Sequence, residues 1–111
     1  MTIELENRDG VSFVTCAGEL RGADDAHWFG QMNALLDKPD ARLIMDLEKM
    51  TYLNSSGLGK LVQLAARANS QGGRVILSNA SPFVRGVIEA TGLNRFFELA
   101  DTTDQALSRI T

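Results

Sequence analysis

The hydrophobic pattern opens with two short alternating segments. Ile3 and Leu5 alternate with polar residues. Beyond Arg8-Asp9-Gly10, the positions Val11, Phe13 and Thr15 alternate with Ser12, Val14 and Cys16. Alternation with period two marks strands, and Asp-Gly between two such runs is a strong hairpin signal. The pattern predicts strands over about residues 3–7 and 11–17. Gly18 and Gly22 bracket a loop, after which the period changes. Trp28, Phe29, Met32, Leu35 and Leu36 recur at helical spacing and make one apolar face. Asp24 and Asp25 supply the N-cap and first-turn acidity of that helix. Pro39 in "DKPD" stops it.

"ARLIMDL" follows, a short continuous apolar run ending at Asp46, which reads as a central strand covered on both faces. A second helix runs to about Asn69 on a face of Leu58, Leu61, Val62, Ala65 and Ala66. "QGG" ends it, with Gly72 suited to the left-handed C′ position. "RVILSN" is a second buried strand. Ser81 as N-cap and Pro82 at the first helical position open a third helix. Phe83, Val84, Val87 and Ile88 pack it, and Gly92 ends it. "RFFEL" is a short last strand. Thr102 with Gln105 three residues on forms a capping box for a terminal helix carrying Ala106, Leu107 and Ile110. The order is β-β-α-β-α-β-α-β-α. This is an α/β fold, one domain over residues 1–111. Its mixed sheet consists of an N-terminal hairpin plus βα repeats, with helices packed against it and right-handed crossovers.

Composition narrows the chemistry. A chain of 111 residues, 44% hydrophobic and 23% charged, has the size and balance of one soluble domain. The net charge is −3 with no block of basic residues. That argues against nucleic acid as a partner and against a polybasic membrane patch. No apolar run approaches a membrane span, and the first ten residues lack the features of a signal peptide, so the expected location is the cytoplasm. Cys16, the one cysteine, lies in an apolar strand and reads as a small buried hydrophobe. His27, the one histidine, reads as a surface or half-buried side chain; with no second His and no Cys nearby it suggests no metal site.

One junction breaks the local rules. In "YLNSSGLGKL", residues 52–61, a strand-like run passes into a helix whose first turn carries Gly57 and Gly59 behind Ser55 and Ser56. Each glycine costs a helix roughly 1 kcal/mol relative to alanine. A phosphate-binding loop would explain the glycines, but Gly59-Lys60 is followed by Leu61 and position 54 is Asn, so both the first glycine and the magnesium hydroxyl are missing. G-x-G-x-x-G fails at Val62, and G-x-S-x-G is absent. Asp46 has the place of a response-regulator phosphoacceptor without the acidic pair that mechanism needs. No nucleophile–base constellation stands out, and an enzyme is not expected. Two readings of the junction remain open. Asn54, Ser55 and Ser56 are all good N-caps, so the stretch can be a turn and cap. Alternatively, glycines bare a helix N-terminus at which a phosphoserine is favoured by the dipole and free N–H groups. Phosphate adds about −1.5 to −2 charges, enough to disrupt a partner's docking while leaving the fold intact.

The wider pattern is identified as that of a known family. "LIMDLEKMTYLNSSGLGKL" resembles the signature of STAS domains: an apolar strand ending in Asp-Leu, a short loop, then [D/N]-S-[S/A]-G-L-G. "VILSNASPFVRGVIEATGLNRFFELADTTDQAL" is similar to the remainder of the family, and "GEL" at 18–20 to its loop after the second strand. The resemblance runs nearly end to end. Stand-alone members of this size are anti-sigma factor antagonists. The resemblance therefore implies a partner switch without cofactors, in a monomer or weak dimer. The unphosphorylated protein binds an anti-sigma factor that is also a GHKL-type serine kinase. Phosphorylation of one serine abolishes binding, and a metal-dependent serine phosphatase restores it. By position the phosphoacceptor is Ser55, directly after Asn54. Ser56, Gly57 and Gly59 form the docking turn, bordered by Glu19 and Leu20 and by Ser78-Asn79. Two departures stand out: Asn54 where the family commonly has Asp, and "GELR" with Arg21 where it has "GELD". A constitutive STAS scaffold, such as a subunit of a lipid-transport complex, is the main rival. A nucleotide-binding module is a third, weakened by the missing P-loop residues.

Overall fold

The structure is a computed structural model that describes residues 1–22 and 25–110. The hairpin forms where the alternation places it. Strand β1 (Thr2–Arg8) pairs antiparallel with β2 (Val11–Leu20), and Arg8 opposite Val11 leaves Asp9 and Gly10 as a two-residue loop. Both loop residues have positive φ, 53° and 82°, the conformation a type I′ hairpin turn requires. Helix α1 (Ala26–Leu35) follows, then β3 (Arg42–Asp46), β4 (Met50–Leu53) and α2 (Ser55–Ser70). Strand β5 (Arg74–Ser78), α3 (Pro82–Ala90), a 3-10 turn over Leu93–Arg95, β6 (Glu98–Ala100) and α4 (Thr103–Ile110) complete the order.

The sheet runs β1-β2-β3-β5-β6, and every pairing except the hairpin is parallel. The sixth strand is an addition to the expected order. The first half of β2 pairs with β3, and its last three residues pair with β4, with a register shift between Gly18 and Glu19. Each of β3 and β5 is buried on both faces, as its unbroken apolar run requires. Leu43 and Met45 join the larger core with Trp28 and Met32 of α1, Leu58, Leu61 and Leu64 of α2, and Val84 and Ile88 of α3. Ile44 and Ile76 face the other way, with Val11, Phe13 and Ala100, under Ala106 and Ile110 of α4. Three helices thus cover one face and one helix covers the other.

Several expectations change in detail. On α2 the inward side chains are Leu58, Leu61, Leu64, Ala65 and Ala68; Val62 is half-buried and Ala66 faces water. Phe83 does not pack α3 inward: it is 48% exposed beside buried Val84. Leu5 of β1, the edge strand of the sheet, is exposed as well. Asp24 lies outside the described residues. Asp25 holds the N-cap position of α1 but makes no side-chain bond to the helix. Its carboxylate turns back and accepts the N–H groups of Arg21 at 2.7 Å and Gly22 at 3.0 Å. Cys16 is buried as expected. Burial pushes its thiol up to about 11, with the Trp28 indole opposing and the Asp46 charge adding, so at neutral pH it is a protonated, apolar filler. His27 is exposed.

Candidate functional site

The site forms where β2 and β4 end and α2 begins. Leu20 pairs with Leu53, so the loop after β2 and the cap of α2 leave the sheet side by side. The Asn54 N–H donates to the Leu20 carbonyl at 3.4 Å, and the Asn54 carbonyl accepts the Leu58 N–H at 2.8 Å. Asn54 has an extended backbone, and its Oδ1 accepts the Gly57 N–H at 2.9 Å. That geometry makes it the N-cap.

The assignment bears out the turn and cap, with Asn54 as the capping residue. Because Asn54 caps α2, neither Ser55 nor Ser56 is needed for it. Both serines are exposed, and neither hydroxyl makes a hydrogen bond among the described residues. Ser55 is the first residue of the helix and Ser56 the second. N–H groups at these positions have no acceptor inside a helix, and no acidic residue occupies the first turn of α2. An anion on Ser55 would therefore meet free donors and the positive end of the helix dipole. Asn54→Ala is expected to lower stability by about 1 kcal/mol, while Asn54→Asp should keep the cap. Urea midpoints of the two variants check this. An unchanged Asn54→Ala midpoint would mean that a serine takes over the cap.

The two glycines of the helix start do different work. A Cβ on Gly57 would overlap the Leu20 carbonyl oxygen and lie 2.9 Å from its carbonyl carbon. Gly57 is buried, and it lets α2 sit directly on the end of β2. At Gly59 a Cβ would have no atom within 4 Å. Only Gly59 leaves open surface. Gly22, with φ of 88°, closes the arrangement from the other side: a Cβ there would lie 2.5 Å from Ser56 Cβ. With Asp25 holding the Arg21 and Gly22 amides, loop and cap form one fixed unit. A shallow groove of about 590 Å³ begins here, lined by Gly22, Ala26, Phe29, Gly30, Ser56 and Gly59 among others. Lys60 on its rim holds its ammonium 4.4 Å from the centre of the Phe29 ring.

The structure therefore brings Glu19, Asn54, Ser55, Ser56 and Gly59 to one surface. Other residues expected there are corrected. Leu20 is 0% exposed and supports the site from beneath, its carbonyl accepting the Asn54 N–H. Gly57 is covered by Leu20. Ser78 is also 0% exposed and lies within 3.3 Å of Thr103 Oγ1. Asn79 is half-buried and donates to Thr103 Oγ1 at 2.9 Å. Ser78 and Asn79 thus fasten β5 to α4 on the far side of β3. Sequence reasoning missed Gly22 and Asp25, whose roles depend on contacts with the loop and α2. It noted Arg21 only as a departure from a pattern. In the structure Arg21 pairs with Glu19 at 2.9 Å and lies over the Tyr52 ring.

Comparison with known proteins agrees with this architecture. The profile of the STAS domain matches residues 2–106. The anti-sigma F factor antagonist of Paenibacillus polymyxa is 25% identical over 115 residues, covering 99% of this chain and 95% of that protein. The crystal structure of an anti-sigma factor antagonist from Mycobacterium paratuberculosis superposes with a TM-score of 0.81 at 31% identity. The match covers 98% of this chain and 92% of that one. The anti-sigma factor antagonist SpoIIAA in its unphosphorylated form gives a TM-score of 0.76 at 26% identity, covering 98% and 96%.

Proposed function

Since this chain belongs to the STAS domain family, we propose that it is an anti-sigma factor antagonist working by a phosphorylation switch at Ser55. The reading treats residues 1–111 as one STAS domain acting in the cytoplasm, as a binding protein and not an enzyme. Unphosphorylated, it docks through the surface around Ser55 on an anti-sigma factor that is also a GHKL-type serine kinase, and so frees the sigma factor. The kinase moves the γ-phosphoryl group of ATP to Ser55 Oγ, releasing ADP, and the complex separates. A metal-dependent serine phosphatase returns inorganic phosphate and the free hydroxyl.

The observation that carries this reading is the division of labour at the helix start. Asn54 does the capping, which leaves the Ser55 hydroxyl exposed, unbonded and at the positive end of α2. Relatives named as anti-sigma factor antagonists, one of them described in its unphosphorylated form, support it. No helix among the described residues is long and apolar enough to cross a membrane. The neutral Asn54 removes one repulsion from the incoming phosphate. Phosphate mapping after incubation with the kinase and ATP tests the proposal: one phosphate on Ser55 and none on Ser55→Ala, which still binds the kinase. Phosphate on Ser56, or on neither serine, would contradict it. Unchanged partner binding by Ser55→Asp would favour the constitutive scaffold.

A further inference from the structure

The two adjacent serines are both exposed, yet their surroundings differ. Ser56 is met on one side by the loop after β2. A Cβ on Gly22 would lie 2.5 Å from Ser56 Cβ, 2.7 Å from its carbonyl carbon and 3.0 Å from its carbonyl oxygen. On that side Ser56 also faces α1, because Gly22, Ala26 and Phe29 line the groove that it borders. Ser55 lies outside the groove. One buried side chain holds the loop in place. Asp25 is 7% exposed, and its Oδ2 accepts the Arg21 N–H at 2.7 Å and the Gly22 N–H at 3.0 Å. The Gly22 carbonyl accepts the Asp25 N–H at 3.3 Å, and the Asp25 carbonyl accepts the Phe29 N–H at 2.9 Å, which ties the loop to α1. Both side-chain bonds end on one oxygen, so an amide that keeps this oxygen can replace the acid.

We propose that Asp25 is a positioning residue for the phosphorylation of this chain and acts through Gly22: it holds the loop against Ser56 and so makes Ser55 the acceptor. This rests on the switch proposed above and accounts for its choice of serine. In the transfer a serine Oγ gives its proton to the kinase's base and bonds to the γ-phosphorus of ATP, as the bond from that phosphorus to the departing ADP oxygen breaks. The attacking and leaving oxygens lie roughly in line, and the reacting atoms must come within about 3–3.5 Å. The kinase must therefore place both nucleotide and base around one Oγ. Electrostatics does not choose between the serines, since a phosphate on either would meet the positive end of α2. Access does. Ser55, exposed and outside the groove, leaves the needed space open. At Ser56 the loop and α1 occupy part of it.

The test is phosphate mapping by mass spectrometry on the full chain with the kinase and ATP. It compares wild type, Ser55→Ala, and Ser55→Ala combined in turn with Asp25→Ala, Asp25→Asn and Gly22→Ala. Wild type should carry its phosphate on Ser55, and Ser55→Ala should carry none. Adding Asp25→Ala frees the loop, and Ser56 should then be phosphorylated at least about tenfold faster than in Ser55→Ala. Gly22→Ala pushes the loop off Ser56 and should do the same. Asp25→Asn keeps the acceptor oxygen and should leave Ser56 unmodified. A merely structural Asp25 would shift the thermal midpoint without creating a second acceptor. A second measurement leaves the loop untouched: a bulky maleimide should alkylate Ser55→Cys at least about tenfold faster than Ser56→Cys, because both thiols stand at the same helix terminus and differ in access. Equal alkylation rates overturn the inference. So does an unmodified Ser56 in folded Asp25→Ala and Gly22→Ala combinations, and in either case phosphate on Ser55 of the wild type keeps the switch. Phosphate on Ser56 of the wild type, or on neither serine, overturns both.

Discussion

Gly57→Ala destabilises the protein by about 1–3 kcal/mol, the range for forcing an extra methyl group into a packed site, and Gly59→Ala stabilises it by about 0.5–1 kcal/mol. Both glycines lie in the first turns of one helix, so propensity alone predicts the same gain at each. The surroundings reverse the sign at Gly57. The atoms a new Cβ would meet there are the carbonyl oxygen and carbon of Leu20, which belong to a strand paired with β4 and cannot rotate away as a side-chain tip can. To accept the methyl group, α2 must lift off β2, which loosens the Asn54 cap and Leu58 at once. At Gly59 nothing stands in the way, and the alanine only reduces the freedom of the unfolded chain. Urea denaturation of the two variants gives both signs in one experiment. A Gly57→Ala protein as stable as wild type would contradict the close packing of α2 on Leu20.

Ser55→Asp is expected to lose at least 100-fold in affinity for the kinase while its thermal midpoint stays the same or rises slightly. The two effects have different origins. Within the chain, an acid at the first helical position is favoured by the dipole by about 0.3–1 kcal/mol, and no acidic residue is already there to repel it. Across the interface, the new charge is pressed against a contact face that docks on a neutral serine, and burying an unpaired charge or setting it against a like charge costs several kcal/mol. Each 1.4 kcal/mol is tenfold in affinity, so two such increments are enough. Isothermal titration against the kinase and a thermal melt of the same sample separate loss of docking from loss of fold. A variant that binds poorly because it has unfolded would show a lowered midpoint instead.

The legible parts of the fold are those set by local pattern. Asp9-Gly10 between alternating runs fixed the hairpin. Ser81-Pro82 fixed the start of α3, where the Ser81 hydroxyl accepts the Val84 N–H. Thr102 and Gln105 fixed the start of α4: Gln105 N–H donates to Thr102 Oγ1, although the Gln105 side chain reaches the Asp101 N–H and not that of Thr102. What escaped was set by distant contacts. Met50–Leu53 is four residues long and has little alternation to reveal a strand; it becomes one because β2 continues past the end of β3 and offers a partner. Phe83 has the spacing of a core residue, yet the first turn of α3 carries it off the sheet onto Tyr52. Ser78 looks like a surface strand end but lies under Thr103 of α4.

The candidate site was legible in outline for the same reason. "NSSGLG" marks where the helix starts, and the family resemblance marks which serine follows Asn54. It could not separate the two glycines, because the atoms that make Gly57 obligatory belong to Leu20, far away in the sequence. Nor could it show that Arg21 is held by Glu19 and laid over Tyr52. Once those contacts are known, the departures from the family pattern at positions 21 and 54 act in one direction. Both reduce negative charge around Ser55.

The most direct measurement compares the kinase affinity of the wild-type chain before and after stoichiometric phosphorylation, with the phosphate located by mass spectrometry. The account predicts a single phosphate on Ser55, an affinity reduced at least 100-fold, an unchanged circular dichroism spectrum, and full recovery after the phosphatase. A protein phosphorylated on Ser55 that binds the kinase as tightly as the unmodified one would contradict it.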